Sequence, residues 1–131
     1  MRVFLDTNVL VAAFATRGLC EDLFRAVLAD HELVVGKTVM QELERILVAK
    51  LRMSESQANA VTTFVRLHAE VIAPGAPAQW PANDPDDQWV VAAAIEGEVN
   101  VMVTGDRDIL DSATDIPVSV VTPRGFWEML T

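Results

Sequence analysis

Short apolar runs alternate with longer segments of helical character along the whole chain. The runs are too short for core helices, and β-branched residues dominate them, which is typical of buried strands. Strands are predicted at Val3–Leu5, Glu32–Val35, Val71–Ile72, Val99–Thr104 and Val118–Val121. Because strands that alternate with helices pair in parallel and are covered on both faces, the pattern predicts an α/β fold with a parallel sheet.

Amphipathic or capped segments between these runs predict the helices. The helices are expected at Val9–Ala15, Glu21–Asp30, Lys37–Lys50, Ser54–His68, Pro85–Glu96, Arg107–Asp111 and Pro123–Leu130. Residues 73–85 contain four prolines and predict an extended loop within one domain, since neither flanking part is large enough to fold alone. The 131 residues are therefore predicted to form a single domain, 1–131.

Cysteine content and hydropathy indicate the expected compartment. The lone thiol, Cys20, can form neither an internal disulfide nor a thiolate metal site, which favours a reducing environment. Asp6 and Asn8 interrupt the apolar N-terminus, so it does not resemble a signal peptide. No stretch approaches the roughly 18 apolar residues of a membrane span. A soluble, cytoplasmic protein is expected.

Acidic residues are concentrated in the second half of the chain. The net charge is −9, and nine acids between Asp84 and Asp115 face one base, Arg107. Two unit charges about 5 Å apart repel by roughly 3 kcal/mol at an effective dielectric of 20. A solvated acidic face explains most of these residues, and the functional alternative is that some of them hold metal ions. The overall charge does not favour a generally basic nucleic-acid surface.

Four acids from four separate segments are predicted to meet at one edge of the sheet. Asp6 and Asp106 each follow a predicted strand, and ligand sites in open parallel sheets lie beyond the carboxyl ends of the strands. Glu42 flanks the apolar stripe of its helix, whereas Glu44 points away from it. Asp87 lies in the first turn of another helix. Such carboxylates suit Mg²⁺ or Mn²⁺, and one of them is expected to titrate unusually high without metal.

Each acid also has a structural alternative. Asp6 is suited to cap the helix that follows it, and Glu42 taken alone fits an ordinary surface glutamate. Asp84 and Asp87 suit the N-cap and first turn of a helix, where they complement the helix dipole. Asp106 fits a turn beside a glycine. The metal-site interpretation therefore depends on these side chains lying together.

Three segments carry a resemblance to a known family. The opening MRVFLDTNVLVAA, the segment KTVMQELERIL and the long run NDPDDQWVVAAAIEGEVNVMVTGDRDIL resemble the motifs of PIN-domain nucleases. The chain is particularly similar to VapC-like toxin components of toxin–antitoxin systems, and its ending VTPRGFWEML also fits that group. DTNVL followed at this distance by TGDRDIL makes the resemblance rather specific.

The resemblance implies a function, a fold and a site. It implies an endoribonuclease that needs Mg²⁺ or Mn²⁺ to cleave RNA. It also implies an antitoxin protein as a partner, and a homodimer is compatible with it. It implies a three-layer α/β/α sandwich with a five-stranded parallel sheet in the order 3-2-1-4-5. The catalytic, metal-binding acids correspond to Asp6, Glu42, Asp87 and Asp106, with Asp84 and Asp108 as secondary candidates and Asn8 and Thr104 as supporting polar residues.

Two classes of alternative function remain open from the sequence. FLDTNVL and GDRDILD loosely resemble motifs of haloacid-dehalogenase-type phosphatases, but Asn8 stands where such an enzyme needs a second aspartate. A receiver domain is less favoured, because Pro123 and Arg124 stand where it needs a lysine. A non-catalytic interaction module is the other class. The helices Lys37–Lys50 and Ser54–His68 would then offer a groove for an antitoxin or a second copy.

Overall fold

A computed structural model describes residues 1–131 and contains a five-stranded, all-parallel sheet. The strand order is β3-β2-β1-β4-β5. The strands are β1 Arg2–Leu5, β2 Glu32–Gly36, β3 Ala69–Ile72, β4 Val101–Val103 and β5 Ser119–Val121. The central strand β1 pairs with β2 on one side and β4 on the other, so that Phe4 lies between Val34 and Met102. The predicted fold class and strand order are confirmed.

Seven helices connect and cover the strands. They are α1 Thr7–Ala15, α2 Leu19–Asp30, α3 Lys37–Ala49, α4 Glu55–His68, α5 Pro85–Glu96, α6 Arg107–Asp111 and α7 Pro123–Leu130. Ser54 begins α4 with a capping box, in which its hydroxyl accepts from the Gln57 amide and the Gln57 side chain accepts from the Ser54 amide. None of the helices combines the length and the apolar character that a bilayer crossing requires.

Several predicted boundaries were wrong by one or two residues, and local reasons are clear for three elements. Strand β4 is shorter than the predicted Val99–Thr104, because Asn100 turns to exchange hydrogen bonds with Arg2 at the strand's start. Strand β3 is longer than predicted and begins at Ala69, which pairs with Leu33 although neither Ala69 nor its neighbour is a strong strand former. Helix α2 begins two residues early, directly after Gly18, whose φ of 150° separates it from α1.

The central strands and the helix faces that cover them form the hydrophobic core. Phe4, Leu5 and Met102 are fully buried in the sheet, and Phe126 of α7 is fully buried as well. Helix α5 presents buried alanines to the sheet, including Ala93. Small side chains allow the helix backbone to approach closely, and this approach brings the first turn of α5 to the carboxyl edge of the strands.

Gly36 at the end of β2 makes this close approach possible. A Cβ atom at position 36 would lie 2.9 Å from the Ala93 Cβ, well inside van der Waals contact. We therefore expect Gly36→Ala to lower the free energy of unfolding by about 1–3 kcal/mol, the usual cost of overpacking a core. Denaturant titration measures this change. Gly75→Ala is the matched control, since a Cβ there meets no atom within 4 Å. Equal stability of the two variants would contradict the prediction.

Candidate metal and catalytic site

The carboxyl ends of β1 and β4 bring Asp6 and Asp106 to the same edge of the sheet. Asp6 follows β1 directly, and its amide donates to the Val103 carbonyl of β4 at 3.0 Å. Glu42 reaches this edge from α3, and Asp87 reaches it from the first turn of α5. All four acids line one cavity of about 540 Å³. Side chains separated by up to a hundred positions along the chain are therefore brought together.

Asp6 is held in place by hydrogen bonds to both of its carboxylate oxygens. Its Oδ1 accepts from the Thr7 amide at 2.8 Å, which caps α1. Its Oδ2 accepts from the Thr104 hydroxyl at 2.7 Å and from the Asn8 side-chain amide at 3.4 Å. The residue is only 5% exposed. Capping and site formation are thus carried out by the same side chain, and the two interpretations of Asp6 do not compete.

Thr104 and Asn8 link the segments on either side of the cavity. The Thr104 hydroxyl, while donating to Asp6, accepts from the Asp106 amide at 2.9 Å. The Asn8 Oδ1 accepts from the Gly105 amide at 2.9 Å. These contacts fix the turn that carries Asp106 relative to Asp6. They are the kind of outer contacts that orient the groups of a metal site.

Asp87, Asp106 and Asp108 form the tightest group of acids. One carboxylate oxygen from each lies within 4.8 Å of the other two. Asp106 also accepts from the Asp108 amide at 2.9 Å and so begins α6. Asp108 and Asp84 are both exposed and neither lines the cavity, but Asp84 does not belong to the close group and instead caps α5 by accepting from the Asp86 amide. Of the two secondary candidates, Asp108 rather than Asp84 lies in this group.

Burial and mutual repulsion raise the pKa values of three of these acids. Burial and then the neighbouring charges of Asp6 and Asp86 raise the pKa of Glu42 to about 7, opposed by Arg45. Burial and the charges of Asp106 and other acids raise the pKa of Asp87 to about 7. Burial also raises the pKa of Asp6, although the Thr104 hydrogen bond opposes this shift. The site is therefore electrostatically unfavourable when every carboxylate is ionised.

No cationic side chain forms an ion pair with the acids of this cavity. The three ion pairs of the molecule lie elsewhere and join Arg2 to Glu32, Arg2 to Glu70 and Arg25 to Glu21. The cavity offers carboxylate oxygens and no histidine or cysteine. Hard divalent cations such as Mg²⁺ and Mn²⁺ prefer oxygen ligands of this kind, so the donor set fits them.

Two residues of the cavity, Lys50 and Thr7, were not predicted from the sequence, and one candidate substrate contact, Trp80, lies elsewhere. Lys50 lines the cavity two helical turns after Glu42, a spacing that places the two side chains on one face of α3. The Thr7 hydroxyl is buried without a hydrogen-bond partner. Trp80, considered from the sequence as a core residue or a substrate contact, is 5% exposed within the core. The i, i+8 spacing was the available signal for Lys50, whereas no sequence pattern identified Thr7.

Comparison with known proteins identifies the family. The sequence model of the PIN-domain family matches residues 2–108 of this chain. The chain belongs to the PIN-domain family. The site described above lies within the matched part of this PIN domain, since Asp6 is near its start and Asp108 is its last residue.

Solved structures share the fold of this PIN domain at low sequence identity. VapBC-1 from nontypeable Haemophilus influenzae superposes with a TM-score of 0.69 and 16% identity, covering 95% of this chain and 99% of that one. VapBC2 from Rickettsia felis, solved with a DNA fragment from the VapBC2 promoter, superposes with a TM-score of 0.67 and 15% identity. This match covers 93% of this chain and 98% of that one. VapC20 from Mycobacterium tuberculosis, a sarcin-ricin loop cleaving toxin, superposes with a TM-score of 0.61 and 14% identity. This match covers 84% of this chain and 94% of that one. No curated protein sequence matches this chain significantly.

The contacts of Asn8 also bear on the phosphatase alternative. A phosphatase of the haloacid-dehalogenase type needs a general acid two residues after its nucleophile. Here the Asn8 side chain is an amide whose oxygen accepts from Gly105 and whose nitrogen donates to Asp6. It is a structural link between two strand ends and has no acidic proton to donate. Neither the family nor this geometry supports the phosphatase.

Proposed function

We propose that this PIN domain is a Mg²⁺- or Mn²⁺-dependent endoribonuclease and the toxin component of a toxin–antitoxin pair. The observation that carries the proposal is that Asp6, Glu42, Asp87 and Asp106 line one cavity without a cationic partner within ion-pair distance. The similarity in fold to VapC20, which is described as a toxin that cleaves the sarcin-ricin loop, supports RNA as the substrate.

The acids of the cavity divide into two groups with respect to a divalent cation. Asp87, Asp106 and the adjacent Asp108 are close enough together to hold one, and Asp6 and Glu42 line the cavity together with Asp87 and Asp106. When bound, the cation would supply Lewis-acid stabilisation of phosphate charge and make water more acidic. The side chains that line the cavity include no serine or cysteine, so the nucleophile is proposed to be water.

The remaining contributions come from the chain itself. Thr104 holds the buried Asp6 carboxylate and the Asp106 backbone in one arrangement, so little reorganisation is needed when substrate binds. Glu42 has a pKa of about 7 and is therefore able to take up or release a proton near neutral pH. Lys50 at the cavity wall is positioned to offset the charge of an entering phosphate.

An RNA cleavage assay tests the proposed activity. The purified chain is first freed of metal with a chelator, then supplied with millimolar Mg²⁺ or Mn²⁺ and an RNA substrate. Cleavage is expected only with metal and is expected to leave 5′-phosphate and 3′-hydroxyl ends, which end-specific labelling distinguishes. RNA that stays intact with both metals, or cleavage that persists with chelator present, would contradict the proposal.

An apolar cavity on another part of the molecule supports the proposed antitoxin partner. It has a volume of about 630 Å³ and lies between α1, α2 and α4, where Phe14, Phe24 and Phe64 pack against one another. The sequence predicted a partner groove on α3 and α4. Of these two helices, only α4 lines this cavity. We propose that it binds an apolar segment of the antitoxin, with Arg17 and Arg25 at its edge.

Coexpression with the product of the neighbouring gene tests this partner. The two proteins are expected to co-purify, and Phe64→Asp is expected to prevent this because it places a charge in the apolar cavity. The isolated Phe64→Asp variant should still cleave RNA, since Phe64 does not line the acid cavity. Undiminished co-purification of the variant would show that the antitoxin binds elsewhere.

A further inference from the structure

A second polar cavity adjoins the acid cavity and shares Glu42 with it. This cleft has a volume of about 750 Å³ and lies between α3, the residues that follow β3 and the first turns of α5. Its lining side chains include Lys37, Thr38, Gln41, Arg45, Asp86 and Trp89. Because Glu42 forms part of both walls, the cleft and the acid cavity lie next to each other.

Trp89 is the one tryptophan whose position core packing does not explain. Trp80 belongs to the buried core, and the partly buried Trp127 packs against this core. Trp89 is half-buried, belongs to neither group and lines the polar cleft instead. An aromatic ring in a polar cleft next to a candidate catalytic site offers a surface on which a nucleobase can stack.

Unpaired cations on α3 and at its C-cap lie on either side of Glu42 in the sequence. Lys37 and Arg45 line the cleft, and Lys50 lines the acid cavity. None of the three forms an ion pair. Within the cleft, Asp86 and Glu42 are the acids that stand beside the two cations, and neither forms an ion pair with them. This arrangement supplies basic groups where a chain with a net charge of −9 has few to offer.

We propose, on the basis of the ribonuclease function above, that this cleft is a nucleotide subsite for single-stranded RNA. The base next to the scissile phosphodiester stacks on Trp89, and the adjoining phosphate contacts Lys37 and Arg45. Paired bases cannot stack on a protein side chain in this way, so the subsite selects an unpaired nucleotide. Stacking depends little on base identity, so the subsite contributes affinity and strand position more than sequence preference.

Binding measurements on Asp6→Asn test the subsite without cleavage. Fluorescence anisotropy of a labelled eight-nucleotide single-stranded RNA gives Kd in the presence of Mg²⁺. Adding Trp89→Ala is expected to raise Kd roughly tenfold, and Trp89→Phe should retain most of the affinity. Phe64→Ala is the matched control, since it removes an exposed aromatic ring that does not line the cleft. A Kd that Trp89→Ala leaves unchanged would overturn the proposal.

An abasic walk locates the stacked nucleotide. A series of RNAs, each with one abasic position, is titrated against Asp6→Asn with and without Trp89→Ala. When Trp89 is present, removing the base at one position of the RNA is expected to weaken binding about tenfold. In the Trp89→Ala background, removing the same base should change the affinity little. An abasic effect of equal size in both backgrounds would mean that Trp89 stacks on no base, and the proposal would fall.

The salt dependence of binding tests the phosphate contacts. Lys37→Gln and Arg45→Gln are each expected to reduce the slope of log Kd against log salt by about one. Arg66→Gln, which removes an exposed and unpaired cation from α4, should leave the slope unchanged. If the wild type cleaves RNA but these variants bind as before, the subsite alone is wrong. If the variants behave as expected but no metal-dependent cleavage occurs, the ribonuclease proposal alone is wrong.

Discussion

Asp6→Asn is expected to reduce metal-dependent RNA cleavage by at least about 10²–10³-fold. Asp6 contributes a carboxylate to the wall of the acid cavity, and burial keeps that charge away from solvent. Asparagine has nearly the same size but lacks the charge that would help to hold a divalent cation. The loss should therefore appear in cleavage rate at saturating RNA and in the metal concentration needed for half-maximal rate.

The fold of Asp6→Asn should survive this change. The amide oxygen of asparagine can still accept from the Thr7 amide and cap α1. The amide nitrogen of asparagine cannot accept from Thr104 and Asn8 as the Asp6 Oδ2 does, but removal of a buried charge offsets this loss, so the apo protein is expected to stay folded. Thermal unfolding without metal measures this. Asp30→Asn, at an exposed acid outside the cavity, is the control for cleavage. Wild-type cleavage by Asp6→Asn would remove the basis of the metal-site proposal.

The positions of Asp6 and Asp106 follow from features that the sequence displays. Asp6 directly follows a short apolar run and Asp106 follows another after Thr104 and Gly105, and parallel strands end at a common edge of the sheet. The apolar runs predict the strands but not which strands are neighbours in the sheet. That β1 lies beside β4 came from the family resemblance, because an alternation of strands and helices is compatible with several strand orders.

The positions of Glu42 and Asp87 depend on how α3 and α5 are rotated and on how closely these helices approach the sheet. The sequence predicts these features less directly than it predicts the ends of the strands. The apolar stripe of α3 correctly predicted that Glu42 is partly buried and Glu44 exposed. The approach of α5 depends on the contact between Gly36 and Ala93, which no local pattern reveals. The roles of these acids as metal ligands stay a prediction, because the geometry shows only that they share a cavity.

The cleft around Trp89 shows the limit of sequence reasoning most clearly. A tryptophan in an otherwise apolar helix segment, QWVVAAA, is more often a core residue. Whether its ring packs inward or lines a cleft depends on the neighbouring loop, and the proline-containing loop instead buries Trp80. Similarly, the bridging hydroxyl of Thr104 depends on the side chain's rotamer and on the strand pairing, so sequence identified the residue only through the family resemblance.

The free energy of unfolding of the metal-free protein is expected to fall as pH rises from about 5 to 8. Glu42 and Asp87 each have a folded-state pKa of about 7, above the ordinary values of 4.5 and 3.8. Between these values the folded protein binds more protons than the unfolded chain, so stability decreases with rising pH. This contribution is fully present below the ordinary pKa values and is lost as pH rises through the folded-state values.

A divalent cation should reverse this dependence, because it binds the ionised carboxylates in competition with protons. The increase in Tm produced by millimolar Mg²⁺ is therefore expected to be small at pH 5 and to grow through pH 7 to 8. Calorimetry with and without Mg²⁺ across this range measures the effect. Glu42→Gln should weaken both the pH dependence and the Mg²⁺ shift, whereas Glu44→Gln, at an exposed acid of the same helix, should alter neither. A Tm increase that is equally large at pH 5 and pH 8 would mean that Mg²⁺ binds outside the acid cavity, because only sites with carboxylates titrating near pH 7 bind it in competition with protons over this range.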